Sequence, residues 1–509
     1  MHLFTILAFA ILFWRAEAPG EWRLVPGDDV SRTLLTVLSQ PLLLGLAAAW
    51  AASRARRLHH KHPDAPHVAQ QFHHRAVFVL RTALLVAFAA AVLLTRWADW
   101  FDFGRITPAL QIFGDAMVLS PFFAGAVALW VAAYPAERTL RLFGDPRSDD
   151  VHLTSAPRWR LGVYLDFNLR HHLLVVAAPM MLILFAADMT RGYDAALRRW
   201  SGWIWTPDAL LGVVAAGVFV VAPVMLCRVW RTAPLEAGPL RERLETLCDR
   251  IGLRCRDILI WKSDGIMINA AVMGVFAPVR YVLLSDALLA TMSPRQIEAV
   301  FGHEAGHVRH RHIQHFLVFA VVGWLVVAGL MEGLAQATAG SRAAGGLSSA
   351  AIQGIGLGAT VLFWGIGFGW VSRRFERQAD LFGARCVTPA ESECDRPCSV
   401  HLGARSAPTE DGRVCATAAA IFASALQRVA ILNGIPAEER SWRHSSIGSR
   451  IRFLISLAGD PARATQFERL IRRIKTTLLA AAILGGALSI YYWTVVPQPA
   501  LMQLHAGVR

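Results

Sequence analysis

In the pentapeptide His303-Glu304-Ala305-Gly306-His307, two histidines stand four residues apart and a glutamate follows the first. Residues at that separation share a helix face, so both imidazoles can turn a nitrogen toward one metal ion. Glu304 is then in reach of a water on that ion and can act as its general base. The spacing predicts hydrolytic zinc chemistry, provided the chain also supplies a helix here, a third protein ligand and an open position for water.

The helix is legible. Ser293 is a good N-cap, with Pro294 at the first helical position and Gln296 three after the cap. No breaker follows before the apolar stretch that starts near residue 316, so one helix is expected to run from Ser293 through the motif. Upstream, Asp257–Trp261 and Arg280–Leu284 are short β-prone runs, with Ile268-Asn269-Ala270-Ala271-Val272-Met273-Gly274 between them.

The third ligand is less obvious. The extended pattern HExxHxxGxxH fails, because its last histidine would fall at Ile313. His310, His312 and His315 follow on what reads as the same helix, and a straight helix does not wrap a further residue around the same ion; they are read as interfacial polar residues. Glu332 stands alone inside an apolar span, where a carboxylate pairs with another polar group. Glu376 and Asp380 form an ExxxD pattern on one helix face just past the next span. Alternation of spans returns Glu376 to the motif's side of the membrane. Glu376 is therefore the expected ligand, with Asp380 holding a motif histidine from behind.

HExxH and ExxxD separated by a two-span hairpin resemble the membrane gluzincin family of HtpX-like proteases and CAAX prenyl endopeptidases. The resemblance covers about residues 240–460. It includes Asn269, Ala270 and Gly274, similar to the family's NAxxxG edge strand. It also includes His444-Ser445-Ser446-Ile447-Gly448-Ser449-Arg450-Ile451, similar to an HPS-x-x-x-R-I element, with Ser445 in place of the usual proline. It implies zinc held by His303, His307 and Glu376, Glu304 as base and Asp380 behind the ligands. It further implies His444 at the oxyanion, Arg450 organising the site and an extended peptide pairing with the strand at 268–274. The implied function is a zinc endopeptidase acting on membrane or misfolded proteins; a CAAX-type prenyl endopeptidase is the same-class alternative.

Composition sets the surroundings. The chain has 509 residues, 55% of them hydrophobic, and a formal charge of +14. Apolar runs at 2–14, 33–52, 77–95, 116–134, 173–187, 209–226, 316–338, 351–371 and 477–495 give about nine spans. Arginine-rich loops at 53–75 and 135–172 alternate with a nearly neutral one at 96–115, which puts the motif on the cytoplasmic side. The basicity then belongs to topology and anionic headgroups rather than nucleic acid. The expected fold is mainly α: a polytopic helical membrane protein with a small α+β zinc-peptidase domain, located in the bacterial inner (plasma) membrane. Its parts are a bundle of about six spans at 1–226 and a peptidase domain at 227–476 interrupted by the hairpin at 316–371. A last span and tail follow at 477–509.

Two further features invite other chemistry. The histidine-rich stretch from His59 to His74 suits metal buffering, which makes a zinc transporter, or a non-catalytic membrane protein, the alternative of another class. However, the first six runs show little ionisable lining besides Arg81, and a solvated basic loop explains the stretch. Four of the seven cysteines, Cys386, Cys394, Cys398 and Cys415, fall in an insertion at 386–415. Their spacing lacks paired CxxC knuckles and leaves a second, structural metal, disulfides and free thiols all open.

Overall fold

The computed structural model describes residues 1–17, 30–141, 160–265, 267–339, 349–394, 400, 413–433, 435–439, 442–458 and 460–495. It divides into two compact units, Met1–Ala233 with Ile260–Met267, and Pro234–Leu259 with Ile268–Arg509.

The first unit is helical: α1 (His2–Glu17), α2 (Val30–Lys61), α3 (Pro66–Leu94), α4 (Gln111–Arg141), α5 (Leu161–Asn168), α6 (Val175–Gly192), α7 (Asp194–Ser201) and α8 (Thr206–Val229). A six-residue π-turn joins α5 to α6, so the apolar run expected at 173–187 is part of a continuous span from Leu161 to Gly192. The core around Phe9, Leu84, Phe88, Leu119 and Phe122 is fully buried.

Two expectations for this half are corrected. The histidine-rich stretch is mostly the last turn of α2 and the first turns of α3, and His59 and His73 are buried; His73 Nε2 lies 3.4 Å from Glu137 Oε1. The spans also bury more ionisable groups than their hydropathy suggests, Asp115 and Asp188 among them. Gln111 Nε2 donates to Asp115 at 3.0 Å and Arg191 Nη1 to Asp188 at 3.0 Å. Both stand one residue outside the apolar runs at 116–134 and 173–187, and the helices extend past those runs to take them in.

Past α8 the chain mixes strands and helices. Strands β1 (Thr232–Pro234), β2 (Asp257–Trp261), β3 (Ala270–Met273) and β4 (Tyr281–Ser285) form one sheet in the order β1-β2-β4-β3, so β3 is an edge. It pairs antiparallel with β4, Val272 opposite Val282. The helices are α9 (Pro239–Ile251), α10 (Asp286–Thr291), α11 (Pro294–Arg309), α12 (His312–Ala339), α13 (Ser349–Leu362), α14 (Gly369–Cys386), α15 (Ala416–Leu432), α16 (Ile447–Ala458) and α17 (Pro461–Val495).

Among the described residues, eight helices are long and apolar enough to cross a membrane. The ninth expected run is a shorter apolar helix, His2–Phe13. The chain is an integral multi-pass membrane protein whose polar ends frame the site below.

Candidate metal centre

Ser293 starts α11 with a full capping box: its hydroxyl accepts from Gln296 N at 3.4 Å, and Gln296 Oε1 accepts from Ser293 N at 3.1 Å. Two orphan amides are thereby satisfied, and Pro294 fits where no amide is needed. The motif occupies the last turns of this helix. The helix does not run on into the membrane, as its sequence suggested. Arg311 takes a left-handed φ of 55°, and α12 starts afresh at His312. No glycine, asparagine or proline marks this break, and a left-handed arginine has no signature in sequence.

Helix α14 packs directly on α11. A Cβ on Gly383 would stand 2.8 Å from His303 N, so only glycine permits this approach. The close packing brings Glu376 and Asp380 to the two histidines. Nε2 of His303 and Nε2 of His307 lie 3.3 Å apart. Each is 3.7 Å from an oxygen of Glu376. A tetrahedral zinc bound at about 2.0–2.2 Å holds its donors roughly 3.3–3.6 Å apart. Two imidazoles and a carboxylate at these separations fit that ion, and among the described residues this is the sole trio of histidine, cysteine or acidic side chains so grouped.

The groups behind the donors fix their orientation. Asp380, fully buried, puts Oδ1 2.9 Å from His303 Nδ1, an ion-pair contact without a well-aligned hydrogen bond. Arg450, in the first turn of α16, grips the same carboxylate through Nε at 2.8 Å and Nη2 at 2.5 Å. His444 Nδ1 lies 3.0 Å from Glu376 Oε2. Glu304 turns to the sheet edge, where its Oε2 accepts from Val272 N at 3.3 Å.

His312 was read from sequence as an interfacial polar residue. Instead it is completely buried, with Nδ1 3.0 Å from His307 Nδ1 and Nε2 2.9 Å from Gln378 Oε1. Lys475 Nζ, which can only donate, also reaches Gln378 Oε1 at 3.1 Å, so that atom is the amide oxygen. A neutral His312 must then donate from Nε2 and accept at Nδ1. His307 therefore carries its proton on Nδ1 and leaves Nε2 bare, the form a metal needs. Only the count of histidines after the motif pointed to this residue, because the left-handed break at Arg311 places it.

Electrostatics follow from burial. Burial pushes the Glu304 carboxyl above its ordinary value, against the attraction of His303. Burial, with His303 beside it, lowers His307 to about 4. Burial also acts to lower His303, but Asp380 at its back outweighs it and the net shift is upward. These directions describe the site without an ion.

Asn269, Ala270 and Gly274 lie along or beside the edge strand β3. Ser285 N donates to Asn269 O at 3.0 Å, and Asn269 N to Ser285 Oγ at 3.0 Å. Gly274 has φ +102°, and a Cβ there would meet Val279 O at 2.3 Å, so the turn that ends β3 requires it. Glu332 stands apart from the metal donors and accepts from Tyr492 OH at 2.8 Å. Of the four insertion cysteines, Cys394 and Cys415 bring their sulfurs to 3.5 Å. Cys386 packs against Gly302, and Cys398 lies outside the described residues.

Part of the chain is similar in sequence to known proteins. Residues 234–446 match the model of peptidase family M48. CAAX prenyl protease 1 of Saccharomyces cerevisiae is 27% identical over 141 residues, 27% of this chain and 31% of that one. A protease HtpX homolog of Thermoplasma acidophilum is 29% identical over 113 residues, 21% of this chain and 35% of that one. Another, of Herminiimonas arsenicoxydans, is 30% identical over 169 residues, 30% and 55% of the two chains. The chain thus spans about a third of the length of the first two relatives and about half of the third. Over residues 234–446 this chain is therefore similar to peptidase family M48.

Proposed function

We propose that the chain is a membrane-embedded zinc endopeptidase that hydrolyses peptide bonds of membrane or misfolded proteins. The observation that carries this reading is the trio His303, His307 and Glu376, spaced for one tetrahedral ion with Glu304 on the adjoining turn. Zinc bound there supplies Lewis acidity and a water acidic enough to ionise near neutral pH.

The remaining roles fall to the protein. Glu304 takes the proton of the attacking water and passes it to the leaving amine. Its raised pKa in the buried, metal-free site is what a proton acceptor working near neutrality requires before the ion's charge is added. His444, half-exposed beside Glu376, is the donor for the developing oxyanion, and Arg450 holds Asp380, which orients His303. An extended peptide adds to the open edge of β3 along Asn269–Gly274, so recognition rests on main chain more than on sequence. The catalytic part is the region 227–476 outside the two-span hairpin at 316–371, facing the cytoplasm by the loop asymmetry. A structural metal at the insertion is supported only by the approach of Cys394 to Cys415.

The test compares wild type with Glu304→Gln in detergent, reading zinc content and casein cleavage on the same samples. The variant is expected to keep its zinc and lose about 10²–10⁴-fold in cleavage. Equal inactivity of both proteins, with zinc moved across liposome membranes, would instead favour a transporter.

A further inference from the structure

Behind the metal centre the second unit contains a cavity of about 400 Å³ whose lining no proteolytic step uses. Its walls bring together Arg250, Arg309, Arg385, Arg472 and Lys475 against one carboxylate, Glu468. Glu468 is already engaged, its Oε1 accepting from Arg385 Nη1 at 2.6 Å. Among the described residues Arg250, Arg309, Arg472 and Lys475 form no ion pair at all. Gathered cations without counter-charge repel one another and cost stability unless an anion joins them.

A second observation points to the ligand. Arg385 is 5% exposed, donates from Nε to Arg413 O at 3.2 Å, and leaves Nη2 buried with no partner. A buried guanidinium nitrogen without an acceptor is rare and costly. Two of its three nitrogens serve the protein, and Arg385 lines the cavity together with four more cations. Planar guanidinium groups in such numbers suit a tetrahedral oxyanion, above all a phosphate group.

The cavity also lies at a defined level in the chain's hydropathy. Lys475 is the last charge on α17, and Thr476–Val495 contains none. Arg309 and His310 stand just ahead of α12, whose apolar span begins at His312. Both helices thus turn from polar to apolar at the cavity, where a bilayer changes from headgroups to hydrocarbon.

We infer that this cavity is a binding site for a phosphate-bearing anion. The anion is supplied either by the headgroup of an acidic phospholipid or by a soluble phosphate compound. The inference is independent of the catalytic reading, since none of these five cations touches the metal donors. The cavity does adjoin the support of the centre: Lys475 Nζ donates to Gln378 Oε1, the atom that receives His312.

The test uses the full chain in nanodiscs of equimolar phosphatidylglycerol and phosphatidylcholine. It compares wild type with Arg309→Gln/Arg472→Gln, two exposed residues of the cavity lining that form no ion pair, each variant's folding being checked by its thermal transition. Arg469→Gln/Arg473→Gln, exposed on the same helix outside the cavity, removes equal charge as a control. Lipid retained through detergent extraction is counted by native mass spectrometry, and the melting temperature in detergent is read with and without pyrophosphate. With a lipid source, wild type and the control pair retain phosphatidylglycerol, and the cavity pair loses about five-fold per charge removed. With a soluble source, neither lipid is preferred and pyrophosphate raises the melting temperature of wild type and control but not of the cavity variant. If the two pairs behave alike in both measurements, the site does not exist.

Discussion

Nδ1 of His312 lies 3.0 Å from Nδ1 of His307, and this pair, rather than the motif alone, fixes which nitrogen His307 offers to a metal. Replacing His312 by alanine removes the acceptor and lets His307 rotate or change tautomer. Zinc affinity, measured by competition with a chromophoric chelator, is expected to fall about 10–100-fold. His312→Asn, which keeps an acceptor, should recover part of the loss. An unchanged dissociation constant for His312→Ala would remove the residue from the centre.

The assignment of the third donor has its own contrast. Glu376→Ala removes one of the three proposed ligands and should abolish stoichiometric zinc, while Glu332→Ala, whose partner is Tyr492, should keep it. Metal analysis after exhaustive dialysis separates the two. Retention by the first variant and loss by the second would reverse the ligand choice.

Asp380 and Arg450 form a buried, two-pronged ion pair. Arg450→Met strands the carboxylate in the interior, at a cost of about 3–5 kcal/mol. The double variant Asp380→Asn/Arg450→Met leaves no uncompensated charge and should regain a good part of that stability. The two are compared by thermal unfolding in detergent, and a double variant no better than the single one refutes the pairing argument.

Zinc binding should depend on pH through one histidine rather than two. The His303 pKa is raised, so on acidification it takes up a proton already at or above the ordinary imidazole range, and zinc must displace that proton. His307 stays neutral down to about 4. From roughly pH 6.5 down to 5 the apparent dissociation constant should therefore rise about tenfold for each unit the pH falls. In the metal-free protein the sign is the reverse. The His303–Asp380 contact contributes stability in full below the unfolded imidazole value and loses it as pH rises through the folded one. A hundredfold rise per unit would mean that both histidines titrate together.

Much of the site could be read from the chain because it is locally encoded. His303 with His307, and Glu376 with Asp380, are each one helical turn apart, and Ser293 to Gln296 is a three-residue cap. What could not be read depends on contacts between distant segments. His312 acquires its place through a left-handed Arg311 that no residue type announces. Asp115 and Asp188 each stand one residue outside an apolar run, and the helices that bury them extend past those runs. The end of α1 as a short apolar helix, rather than a ninth full span, likewise turns on a few residues.

The hydrogen bond from Val272 N to Glu304 has a consequence for the order of events at the open sheet edge. That amide points away from β4, into the position where the carbonyl of an added strand would dock. A peptide that joins β3 there must take the N–H from Glu304. The carboxylate that holds the resting edge is then released into the cleft just as the edge is filled, so docking and arming become a single exchange.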